Sequence, residues 1–91
     1  PLSEAQEARL DKSLSGFEKI LDQGFGKLGN KELSTAQEAT LDKLEDRFFQ
    51  QLESVFKKQG AVTPADEKAL KQAETTFQAS FDKLIQRALA G

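Results

Sequence analysis

The chain has 91 residues, 31% of them charged, and a formal net charge of −2. This length and composition are typical of one small folded domain, and no basic block is present to neutralise phosphates, which argues against a nucleic-acid partner. The sequence contains no cysteine and no histidine. It therefore offers no thiolate nucleophile, imidazole base or soft metal site, and we expect no enzymatic activity, no cofactor and no metal.

Cellular location is only weakly indicated by the sequence. No apolar run approaches the ~20 residues that span a bilayer, and no signal peptide is visible. The chain starts at Pro1 rather than at a methionine, which indicates a processed protein or a domain excised from a longer one. Because the absence of cysteine is compatible with an oxidising compartment, we favour an exported protein, periplasmic or extracellular.

A short segment recurs three times and predicts where each helix begins. Its copies occupy residues 2–12, 33–43 and 62–71, and each copy opens a unit of about 30 residues. In every copy a Ser or Thr (Ser3, Ser34 and Thr63) is followed three residues later by Gln or Asp. This is the spacing of a helical N-cap and its capping box.

Apolar residues at helical spacing then predict three amphipathic helices. Helix 1, from about residue 4 to 27, has the stripe Leu10, Leu14, Phe17, Leu21, Phe25 and Leu28, with Ile20 on its flank. Helix 2, from about residue 35 to 58, has the stripe Leu41, Leu44, Phe48, Leu52, Val55 and Phe56, with Phe49 on its flank. Helix 3, from about residue 64 to 89, has the stripe Leu70, Ala73, Phe77, Phe81, Leu84, Ile85 and Ala88.

The connections between these helices, residues 29–33 and 60–62, are short and contain Gly29 and Gly60 as helix stops. Short connections make consecutive helices antiparallel. The sequence therefore predicts an all-α fold: a compact, antiparallel up-down-up three-helix bundle built from three quasi-repeats of about 30 residues, with residues 1–91 as one domain. An open solenoid is the alternative, but it would leave apolar surface at both ends.

Two local patterns resemble chemical motifs without their structural context. Residues 24–29 read GFGKLG, but they close a helix, whereas the dinucleotide fingerprint follows a strand and opens a helix. We interpret this stretch as a helix end weakened by glycine. Glu38, Asp42 and Asp46 line up along helix 2, but no loop with alternating oxygen ligands accompanies them, so we predict no calcium site.

Aligning the three units indicates which positions form a shared core and where the symmetry fails. Phe17, Phe48 and Phe77 coincide, as do Leu21, Leu52 and Phe81. Three apolar residues occupy positions that are polar in both other units: Phe49, Ile20 and Leu14. Conversely, Gly24 corresponds to Val55 and Leu84, which predicts a gap in the core of helix 1.

These departures have two interpretations. Three quasi-repeats that close into a bundle need not bury the same arc, and isolated exposed apolar residues are common. Alternatively, Phe49, Ile20 and Leu14 belong to an exposed apolar patch that binds a partner helix or lipid. They are the candidate partner-binding residues.

Residues 2–6 (LSEAQ) and 33–37 (LSTAQ) are similar to the L-T-x-x-Q signature of the Spy/CpxP-like periplasmic helical chaperones. The similarity covers ten residues of the 91, and three units at this spacing depart from that family's pattern. It implies an exported helical binding protein.

We expect a non-enzymatic helical protein–protein interaction module, as a domain or small subunit of an exported or surface protein. A hydrophobic-ligand or lipid-binding amphipathic protein, a periplasmic chaperone-like protein and a purely structural spacer are alternatives. Polar faces with both charge signs argue against anionic membranes. Self-association is also open, because wide apolar stripes serve intermolecular bundles equally well.

Overall fold

Capping boxes begin all three helices in the computed structural model of the chain, which describes residues 1–58 and 60–91. Ser3 Oγ accepts a hydrogen bond from the backbone N–H of Gln6, and Gln6 Oε1 accepts one from the N–H of Ser3, at 3.2 and 3.0 Å. The same reciprocal bonds form between Ser34 and Gln37 and between Thr63 and Asp66. The predicted helix starts are therefore confirmed.

The helices are α1 (Glu4–Leu28), α2 (Thr35–Phe56) and α3 (Pro64–Ala90). α1 ends at Leu28 and is capped by Gly29, whose φ of 59° is rarely adopted by other residues. α2 ends at Phe56, two residues before the predicted end at Lys58. Lys58 instead bonds to both other helices: its carbonyl accepts from Gln6 Nε2 at 2.8 Å, and its Nζ donates to Asp66 Oδ1 at 2.7 Å.

The helices run up, down and up, and they pack into a compact all-α bundle, as predicted. α1 and α3 are parallel, since Arg9 pairs with Glu67 near their N-termini and Phe25 contacts Phe81 near their C-termini. α2 is antiparallel, because Gln6 at the start of α1 bonds to the residue just beyond the end of α2. α3 packs against both other helices more extensively than α1 and α2 pack against each other.

Three phenylalanines at corresponding positions of the three units meet in the core. The ring centroid of Phe17 lies 4.9 Å from those of Phe48 and Phe77, and the latter two are 5.7 Å apart. All three side chains are buried. Aromatic pairs at such distances contribute ~0.5–1.5 kcal/mol each beyond the burial of their surface, so this cluster is a major source of bundle stability.

The gap predicted at Gly24 is filled by Phe81 from α3. Phe81 is completely buried, and a Cβ atom added to Gly24 would lie 2.2 Å from its ring carbon Cε2. In the other two units the position of Gly24 holds Val55 or Leu84, whereas the position of Phe81 holds a leucine. The missing side chain in α1 and the larger ring in α3 therefore compensate each other.

Gly24→Ala is expected to destabilise the protein by ~1–3 kcal/mol, because the added methyl group overlaps the Phe81 ring. Gly26→Ala is the matched control. It lies in the same helix with no atom within 4 Å of an added Cβ, so it should stabilise by ~0.5–1 kcal/mol. Urea denaturation measures both changes. Adding Phe81→Leu should recover part of the loss from Gly24→Ala, and a Gly24→Ala variant as stable as the parent would contradict this packing.

Candidate functional site

The three candidate residues occupy different environments. Phe49 is 43% exposed, and its ring packs edge-on against Phe17 with centroids 5.1 Å apart. Leu14 is half-buried against the core. Ile20 is only 6% exposed, so the expectation that it belongs to an exposed patch is wrong. At ~100° per residue, Ile20 falls on the same arc as Phe17 and Gly24, and this is the arc that α1 buries.

Contacts with α3 identify the opposite sides of α1. Arg9 Nε donates to Glu67 Oε1 at 2.7 Å, and a Cβ added to Gly16 would lie 2.6 Å from Glu74 Oε1, so the side bearing Arg9 and Gly16 faces α3. The half-buried leucines lie on the other side of the buried arc. This side borders α2, and its leucines are Leu10, Leu14 and Leu21.

α2 also has one side towards α3 and one towards α1. Leu44 and Gln51 line a small cavity together with Ala73 of α3, so this side of α2 faces α3. Phe49 lies on the other side and contacts Phe17 of α1. We name the surface between these two facing sides the α1–α2 groove. Its apolar residues are Leu10, Leu14, Leu21, Phe25 and Phe49.

Phe25 lies at one end of the α1–α2 groove and is 40% exposed, although the sequence placed it on the apolar stripe of helix 1. It is the stripe residue turned farthest from the buried arc. Its ring contacts Phe81 at 5.5 Å. It also lines a surface cavity of ≈ 540 Å³, whose other lining residues are Leu28, Lys31, Glu32, Leu33, Glu38, Leu41 and Asp42.

Within α1 and α2, the charged residues on the groove sides are acidic, whereas Lys31 lines the cavity at the Phe25 end. At ~100° per residue, Glu7, Asp11 and Glu18 lie on the groove side of α1, and Glu4 and Asp22 lie next to them near its outer face. The groove side of α2 carries Glu38, Asp42, Glu45, Asp46 and Glu53. These are ten of the chain's 15 acidic residues. The basic residues within the two helices fall on their other sides: Arg9, Lys12, Lys19, Lys27, Lys43 and Arg47.

Glu45 shows the effect of this one-signed surface. It is half-buried, and its pKa is raised above the ordinary value of 4.5, first by burial and then by the carboxylates of Asp42 and Asp46. The two salt bridges found among the described residues join Arg9 to Glu67 and Lys58 to Asp66, with both acids on α3. Neither compensates the negative charge of the groove.

A separate polar cluster lies at the end of the bundle where α2 ends and α3 begins. Gln6 Nε2 donates to the carbonyl of Lys58, and Lys58 Nζ donates to Asp66. The pKa of Asp66 is lowered, first by the hydrogen bond from Lys58 and then by the backbone N–H of Thr63. Every buried side-chain nitrogen and oxygen in the described part of the chain has a hydrogen-bond partner. This cluster therefore has a structural role.

Among the described residues, the other surfaces of the bundle carry fewer exposed large apolar side chains. A surface cavity of ≈ 930 Å³ lies mainly over the outside of α3, and its lining residues are polar or charged apart from Val62 and Pro64. Within residues 1–58 and 60–91, no group of three or more Asp or Glu side chains converges to hold a metal ion. In the same residues, no helix combines the length and apolar character needed to cross a membrane.

Comparison with known proteins assigns no family. No protein-family model, curated protein or solved structure matches this chain. The relationship to the Spy/CpxP-like chaperones implied by residues 2–6 and 33–37 stays a prediction.

Phe49→Ala is expected to destabilise the protein by only ~1 kcal/mol, because nearly half of the side chain is already in water. Phe48→Ala, at the neighbouring buried position, should cost ~3–5 kcal/mol. Chemical denaturation of the two variants measures the difference. Equal losses would show that Phe49 is a core residue and would remove it from the groove.

Glu45→Gln is expected to stabilise the protein at neutral pH. The unfolded chain titrates at the ordinary value of 4.5 and the folded chain above it, so stability falls as the pH rises through this interval. The gain should therefore be present at about pH 7 and absent at about pH 3, where the carboxyl is protonated in both states. Thermal unfolding at the two pH values measures it. Glu53→Gln, at an exposed position of the same helix, is the control, and an equal gain there would contradict the role of burial.

Proposed function

We propose that this protein is a non-enzymatic interaction module that binds a helix of another protein in the α1–α2 groove. The observation that carries the proposal is that the exposed or half-buried apolar side chains of α1, together with exposed Phe49 of α2, fall on the facing sides of these two helices. Phe49 and Phe25 are two of the three large apolar residues with exposed side chains among the described residues, and half-buried Leu14 and Leu21 lie on the same side of α1 as Phe25. Apolar side chains grouped on one surface indicate a binding site, whereas isolated exposed apolar residues are common and do not.

The arrangement of α1 and α2 favours a helical segment as the bound partner. The groove runs between two antiparallel helices that pack less extensively against each other than against α3. A helix laid in such a groove completes a four-helix bundle, with apolar anchors at intervals of three, four and seven residues. Leu14, Leu21 and Phe25 recur along α1 at the same kind of interval, so they match the spacing of such anchors.

The chemistry of the groove favours binding over catalysis. It combines apolar side chains with carboxylates, whereas group transfer needs an activated nucleophile. An internal hydrophobic-ligand site is also disfavoured, because the closely packed rings of Phe17, Phe48 and Phe77 already fill the space between the helices.

The test is fluorescence anisotropy with a labelled amphipathic peptide of about 20 residues, long enough for a helix of ~30 Å. The peptide has a leucine-rich face and a polar face with equal numbers of Lys and Glu. We expect saturable binding that Phe49→Ala weakens about tenfold, as is typical of an aromatic anchor in an interface. Leu89→Ala is the matched control, because Leu89 is 40% exposed on α3, outside the groove, and this variant should bind normally.

Equal weakening by Phe49→Ala and Leu89→Ala would contradict the assignment to the α1–α2 groove. Sedimentation equilibrium of the protein alone is the second control. A dimer that Phe49→Glu dissociates without unfolding would make a second copy of the chain the partner and would overturn the proposal of a different protein.

A further inference from the structure

We propose that the helix bound in the α1–α2 groove is cationic, with an apolar face flanked on both edges by Lys or Arg. This inference rests on the proposed function. The apolar residues of the groove define where the partner lies, and the charges on its two sides define the partner's chemistry. A helix whose apolar face points into the groove places its flanking side chains against the acidic sides of α1 and α2.

Both sides of the groove carry acids at a spacing that is unfavourable in the free protein. Glu18 and Asp22 are four residues apart on α1, as are Asp42 and Asp46 on α2. Like charges at this spacing destabilise a helix. Lys or Arg side chains from a partner would convert this repulsion into attraction along the length of the groove.

The arrangement differs on the side of α1 that faces α3. There Arg9 forms a salt bridge with Glu67, which is followed at the favourable spacing by Lys71. Charges of both signs alternate on that surface, whereas the charged residues of α1 and α2 beside the groove are acidic. The folded chain therefore balances its own charges in one place and leaves them unbalanced beside its exposed apolar residues.

Glu45 connects the acidic and apolar parts of the groove. It is half-buried, and its pKa is raised by burial and by Asp42 and Asp46. A cation placed beside it would favour its ionised form. Glu45 is thus positioned to pair with a partner side chain at the edge of the apolar contact, where water is partly excluded.

Other occupants fit less well. A second copy joined face to face would bring acidic side against acidic side, which opposes a two-fold dimer through this groove. An anionic membrane or an acidic helix would be repelled for the same reason. A cationic helix is the occupant whose apolar and charged groups both match the surface.

The experiment uses three labelled peptides with the same leucine-rich face and polar faces of Lys only, balanced Lys and Glu, or Glu only. At low ionic strength we expect the Lys peptide to bind about tenfold more tightly than the balanced peptide, and the Glu peptide to bind most weakly. Raising the NaCl concentration should reduce this advantage, because exposed charge pairs are screened.

Two double variants separate the groove from the net charge of the protein. Glu18→Gln with Asp42→Asn removes one exposed acid from each side of the groove and should weaken the Lys peptide several-fold. Gln72→Lys with Gln86→Lys raises the net charge equally on the exposed outer face of α3 and should have little effect. Equal effects of the two variants would overturn the inference, since net charge alone would then account for them.

The outcomes for the inference and for the proposed function are distinct. If the balanced peptide binds as tightly as the Lys peptide, the cationic partner is overturned while helix binding stands. If no peptide binds, both are overturned. Co-sedimentation with phosphatidylcholine vesicles is measured alongside, and vesicle binding without peptide binding would replace both proposals with a lipid surface.

Discussion

The packing of aromatic rings between the helices determines the rest of the structure. The chain has seven phenylalanines and no Trp, Tyr or Met, so phenylalanine supplies its large side chains. Phe17, Phe48 and Phe77 meet at one level, and Phe81 stacks on Phe77 with centroids 5.7 Å apart. Once these rings are in contact, the register of each helix is fixed. The capping boxes then determine only where the helices begin.

Small residues let the helices approach each other unequally. The side of α1 that meets α3 carries Gly16, and its buried arc carries Ser13 and Gly24, so Phe81 and the Glu74 carboxylate lie close to the α1 backbone. The exposed and half-buried apolar residues of α1 lie on its side towards α2, where the two helices pack less extensively. The α1–α2 groove is therefore a consequence of how closely α1 follows α3.

The features predictable from the sequence were those encoded within one helix or shared by all three units. Capping boxes indicated the helix starts, and the alignment of units identified the phenylalanine core and singled out Phe49, whose side chain is exposed. The burial of Ile20 and the exposure of Phe25 depend on which arc each neighbouring helix covers, and a single stripe does not contain that information. The acids of α2 were visible as a row. Their alignment with those of α1 required knowing which sides of the helices face each other.

The separation of charges around the bundle gives the molecule an electric dipole moment across its narrow dimension. The chain is almost neutral as a whole, yet most of its carboxylates lie along one side of a body measuring 46 × 20 × 19 Å. A positively charged molecule at a distance of about one Debye length would exert a torque on it. The bundle would rotate about its long axis until the groove faced the approaching charge, so collisions would be oriented before any side chains touched.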